Sequence, residues 1–227
     1  DPATIQEAYD MARDAFALSE EFGLPVIFRP TTRICHSKGD TQLGAVAKRE
    51  KKGEFHRNPQ QYVVIPAHTR VLHRKLNEKQ PGIKKSLVGK GFNHAVVRGP
   101  TAVIASGIAA AYAQEVIPGD VSFMKIGAYP IDEEWLGEFV RRHEKVLVIE
   151  ELHPVVEEAV RQVAGCVAVH GKKDGRVPFE GEFSPVTVAG FLKSCGIAPQ
   201  QEFTPGAPVP GLPPRPPILC AGCMHRP

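Results

Sequence analysis

Apolar residues recur at helical spacing at the start of the chain, at Ile5, Ala8, Tyr9, Ala12, Phe16 and Phe22. This spacing predicts a helix that stops at Gly23. Residues 24–28 form a short apolar run and read as a strand ended by Pro30, with a polar loop over 31–38 at its C-terminal end. One helix and one strand cannot bury a core. Residues 1–40 are therefore read as the last unit of a domain whose earlier part lies outside the chain. Residues 41–95 read as a surface connector, mostly charged over 48–52, punctuated by Asn58-Pro59 and Pro66, with a short basic helix over 68–76.

The pattern is clearest over 96–197. Apolar runs at 101–105, 121–126, 145–149 and 166–169 alternate with helical patterns at 108–116, around Trp135, Leu136, Phe139 and Val140, at 154–163 and at 184–194. Asp132 is placed to cap the second of these helices, and Pro154 opens the third at a position that tolerates proline. Nearly continuous aliphatic strands separated by helices predict a parallel sheet covered on both faces. The expected fold class is α/β, a three-layer parallel-sheet domain with Val103, Phe123, Val146 and Val148 in its core. The strand order is not legible from the sequence. From residue 198 the composition changes. Proline at 199, 205, 208, 210, 213, 214, 216 and 217 predicts an extended linker over 198–217. Residues 218–227 then read as the start of another domain.

Composition narrows the function classes. The 227 residues are 42% hydrophobic and 23% charged, ordinary values for a folded chain. The 28 basic and 25 acidic residues leave a net charge of +3, with no clustered basic surface of the kind nucleic acid requires. The longest apolar stretch, 101–116, is interrupted by Ser106, Gly107 and Gln114 and is shorter than the roughly 20 residues of a membrane span. Five cysteines in a chain of this length do not form a disulfide scaffold. A reducing, cytoplasmic setting is expected. The chain opens at Asp1 without a methionine and ends directly after a cysteine pair, and is read as a piece of a longer polypeptide.

Three groups of residues are candidates for chemistry. Cys220-Ala221-Gly222-Cys223 places two thiols three residues apart on a turn, which suits one edge of a metal or iron–sulfur site and equally a buried turn with two inert thiols. Arg33 and His36 fall in the polar loop after the first expected strand. A guanidinium there suits a carboxylate or phosphate, while the same residues also fit a loop that only satisfies its own backbone. Glu150-Glu151 with His153 sit where a strand turns into a helix, and acids there stabilise the helix N-terminus.

Several runs together carry a family resemblance. Residues 23–39, GLPVIFRPTTRICHSKG, resemble the end of the pyrimidine-binding domain of the 2-oxoacid:ferredoxin oxidoreductases. VSFMKIGAYPID at 121–132 and KVLVIEELHPVVEEAV at 145–160 resemble their transketolase C-terminal-like domain. PPRPPILCAGCMHR at 213–226 is similar to the entry of their thiamine diphosphate-binding domain. These runs stand in the family's order across most of the chain, and they are most similar to its indolepyruvate branch. The family's entry motif is closer to CPGCPHR. Here Ala221 and Met224 replace its two prolines, while both cysteines remain.

The resemblance implies oxidative decarboxylation of a 2-oxoacid, in this branch an aryl pyruvate, to an acyl-CoA with electrons passing to ferredoxin. It implies thiamine diphosphate with Mg2+ and [4Fe-4S] clusters in the intact enzyme, none of them tightly bound by this stretch alone. A second, beta subunit is an implied partner, and neither nucleic acid nor membrane is. Arg33 and His36 are implied as a substrate or cofactor loop, and Cys220 and Cys223 as possible cluster ligands. The alternatives are a non-catalytic transketolase C-terminal-like scaffold or dimerisation module, or part of another thiamine diphosphate enzyme.

Overall fold

A computed structural model describes residues 1–46, 53, 55–203 and 210–213. Its centre is a five-stranded sheet in the order β1-β3-β2-β4-β5, with β1 Asn93–Val96, β2 Thr101–Ser106, β3 Ser122–Ile126, β4 Lys145–Ile149 and β5 Ala168–His170. The last four strands pair in parallel. β1 pairs antiparallel with β3, Asn93 opposite Ile126 and Val96 opposite Phe123. The expected all-parallel sheet is thereby corrected to a mixed one. β1 carries no aliphatic run of its own and is defined by its partner across the chain, so local pattern does not reveal it.

The parallel strands alternate their side chains between two cores. Val103, Ala105, Phe123, Leu147 and Ile149 pack beneath α5, Ile108–Val116, and α8, Pro185–Ser194. Ala102, Ile104, Met124, Val146 and Val148 pack beneath α6, Glu133–Val140, and α7, Val155–Val163. The three-layer arrangement and the four expected core residues stand, with Val103, Phe123, Val146 and Val148 all buried. Caps mark the helix starts. Asp132 accepts from the Trp135 amide at 3.0 Å, and Ser184 forms a reciprocal capping box with Thr187.

The first 95 residues differ more from expectation. α1, Ile5–Phe22, forms as predicted, with Thr4 at its N-cap and Gly23 ending it at φ +58°. Residues 24–28 do not form a strand. They run extended, with Ile27 90% exposed, because an apolar run becomes a strand only where a neighbour supplies the hydrogen-bond ladder. The expected loop over 31–38 contains a one-turn helix, α2 Thr32–His36, anchored by buried Ile34. The connector holds α3, Pro59–Tyr62, and a 24-residue helix, α4 Pro66–Gly89, in place of the expected short one. Pro81-Gly82 reads as a break in the sequence. The helix continues through it with Leu87 buried, and Gly82 faces the Phe22 ring, where an added Cβ would stand 3.7 Å away.

No helix among the described residues is long and apolar enough to cross a membrane. The start of the proline-rich stretch lies along α5, where the Gln200 amide donates to the Val116 carbonyl at 2.9 Å. Phe203 packs against the nearby core.

Candidate functional site

Parallel strands deliver their C-terminal ends to one edge of a sheet, and an open sheet forms a crevice where neighbouring strands send their connections to opposite faces. Here that point lies between β2 and β4. β2 turns at Ser106-Gly107 into α5 on one face, and β4 turns at Glu150-Glu151 toward α7 on the other. β3 adds residues 127–130 to the same edge. A cleft of about 710 Å3 opens there, closed on the far side by α1, the extended residues 24–29 and α4.

Buried polar side chains hold the edge in shape. Asn93 Oδ1 accepts from the Gly127 and Ala128 amides at 2.8 and 2.9 Å, and its Nδ2 donates to the Ala128 carbonyl at 3.0 Å. Gly127 is required there, because a Cβ would lie 2.6 Å from the Phe92 carbonyl. Glu150 accepts from the Val156 and Glu157 amides at 2.9 and 2.8 Å and so caps α7. Burial pushes its carboxyl pKa up, against the pull of those two amides. Glu151 accepts from the Phe183 amide at 2.8 Å. The paired carboxylates thus serve the helix start and a neighbouring loop, the structural alternative weighed for them. Tyr129 lies on the cleft with its hydroxyl bonded to Ser106, and burial pushes that hydroxyl's pKa up.

The N-terminal segment is tied on by charge. Lys125, buried on β3, donates to Glu7 of α1. Arg29 makes two hydrogen bonds to Asp1, at 2.9 and 2.6 Å.

Arg33 and His36 are exposed on α2 and do not line the cleft. Arg33 pairs with Glu182 at 2.7 Å. That hydrogen bond raises its pKa, with Tyr112 and Glu151 contributing from nearby. Its fork therefore faces the rim of the same edge, already holding one carboxylate. Cys35 is exposed as a free thiol. Cys220 and Cys223 lie outside the described residues. No group of three or more His, Cys, Asp or Glu side chains among the described residues can hold a metal ion.

Asn93, Tyr129, Arg29 and Lys125 were not singled out by sequence reasoning. Lys125 carried a signal, a lone cation inside the apolar run VSFMKI. Asn93 carried none, since its role depends on a turn 34 residues away.

Over its length the chain is similar to proteins named indolepyruvate oxidoreductase subunit IorA. It is 34% identical over 237 residues to the one from Methanothermobacter thermautotrophicus, covering 100% of this chain. The figures are 35% over 238 residues and 99% for Archaeoglobus fulgidus, and 35% over 252 residues and 100% for Pyrococcus abyssi. The chain spans 38% of the length of each of these relatives. No family model and no solved structure matches it.

Proposed function

Because the chain belongs to the family of the indolepyruvate oxidoreductase IorA subunits, we propose that it is part of a cytoplasmic enzyme that oxidatively decarboxylates an aryl pyruvate. The acyl group leaves on coenzyme A and the electrons go to ferredoxin, with a second subunit completing the assembly. The observation that carries this reading is the identity running over the whole chain in the relatives. In the same reading residues 1–40 close a pyrimidine-binding domain, 41–95 connect it, and 96–197 are the transketolase C-terminal-like domain. Residues 198–217 then lead to a thiamine diphosphate-binding domain that begins at 218.

Thiamine diphosphate, when bound, supplies the electron sink for the carbanion left by decarboxylation. No described residues form a three-ligand group, so neither its Mg2+ nor a [4Fe-4S] cluster is assigned to them. Cys220 and Cys223 remain the candidate cluster ligands. The role left to the described residues is binding. Arg33 holds the carboxylate or phosphate of a ligand in exchange for Glu182, and its planar fork suits either anion. His36, on the same turn of α2, orients the loop.

The test uses the complete subunit with its partner, assayed for coenzyme A-dependent reduction of ferredoxin by indolepyruvate. Activity is expected, and Arg33→Lys should raise KM while kcat and folding are kept, the signature of lost ground-state binding. Unchanged kinetics in both Arg33→Lys and Arg33→Ala would make α2 purely structural. Absence of 2-oxoacid oxidation in the assembled complex would overturn the function itself.

A further inference from the structure

The cleft at the strand edge is not explained by the Arg33 loop, which stands outside it. Its volume, about 710 Å3, lies within the roughly 300–1,000 Å3 of small-molecule sites. Its walls are apolar and rich in rings, with Phe22, Phe28, Phe92 and Tyr129 among the lining residues beside Leu18 and Leu87. Leu152 on its lining holds φ +62°, the one non-glycine residue with positive φ among the described residues. Such backbone strain concentrates where ligands are gripped.

The charges select the ligand. Asp1, Glu150 and Glu151 bring three carboxylates to the lining. Arg29 is the one Lys or Arg there, and its fork is already closed on Asp1 by two hydrogen bonds. An anion entering the cleft meets net negative charge with its single guanidinium engaged. A neutral ring buries against the walls instead. A donor on that ring finds acceptors, because each carboxylate oxygen keeps a second lone pair beyond the amides it already receives.

We propose that this cleft binds a neutral, planar aromatic molecule carrying an N–H or O–H donor, with the ring between the helices α1 and α4 and the strand edge, and the donor directed to the Glu150-Glu151 turn. The site is separate from the anion-holding role of Arg33 and does not depend on thiamine chemistry.

The experiment titrates three probes of one shape into the 227-residue chain, followed by calorimetry. Indole carries the donor, benzothiophene lacks it, and indole-3-carboxylate adds an anion. Indole is expected to bind saturably. Benzothiophene should bind about tenfold more weakly, the loss of one hydrogen bond to a charged acceptor, and indole-3-carboxylate weaker still. Val155→Trp and Ala15→Trp fill the cleft from opposite walls, at positions that are not fully buried. Either variant that retains the parent melting profile should lose indole binding. Absence of saturable indole binding, equal binding of all three probes, or undiminished binding in a folded filled variant would each overturn the proposal.

Discussion

His143 follows α6 and is buried. Its Nδ1 lies 2.8 Å from the Phe139 carbonyl, so that nitrogen carries the proton, and Nε2 has no hydrogen-bond partner. Burial lowers its pKa below 6.5, the Phe139 carbonyl opposes that shift, and Arg142 adds to it. The folded state therefore takes up a proton less readily than the unfolded one. The stability held with neutral His143 is complete above pH 6.5 and is lost as pH falls from there toward the lowered folded value. In urea unfolding at pH 7.5 and 5.5, His143→Phe should show a smaller loss on acidification than the parent chain. An equal loss in both would mean that His143 does not drive it. None of this is legible in the sequence, where His143 is one of nine histidines. Its burial is decided by the helix that ends beside it.

At the scale of elements, the strands of the parallel sheet announce themselves because each is buried on both faces and must be aliphatic throughout. Val148→Asp places a charge without a partner in the core beneath α6 and α7, and should cost several kcal/mol, roughly 3 or more. Chemical denaturation reads this directly, and a cost below about 1 kcal/mol would contradict that packing. The docking of α1 is a different case, because it rests on Lys125 with Glu7. The lysine side chain is 2% exposed and the glutamate 32%. Removing the glutamate leaves a buried cation, whereas removing the lysine leaves a carboxylate that water can reach. Glu7→Gln should therefore lower the melting temperature more than Lys125→Met. The reverse order would show that packing of the lysine stem, not charge, holds α1. The sequence marked Lys125 as out of place in an apolar run. Glu7 lies 118 positions away, and only the fold brings the two together.

For the whole molecule, the chain spans 38% of its relatives, and the proposed reaction draws on the remainder. Supplied with thiamine diphosphate, Mg2+ and indolepyruvate, the 227-residue chain alone should release no carbon dioxide and show no tight cofactor binding by calorimetry. Turnover or tight binding would mean that these residues suffice.

Helix α1, the four parallel strands and the helices between them were determined by the sequence alone. Their periodicity is local and repeated, and caps such as Asp132 and Ser184 bond within three residues. The family was also legible in runs of residues, before any coordinates. Tertiary structure alone decided the antiparallel β1, the passage of α4 through Pro81, and the failure of residues 24–28 to pair. It also decided the cleft that gathers Arg29, Tyr129 and Glu150. Each of these depends on which distant segment supplies a hydrogen-bond ladder, a packing face or a counter-charge, and no periodicity within the segment encodes that neighbour.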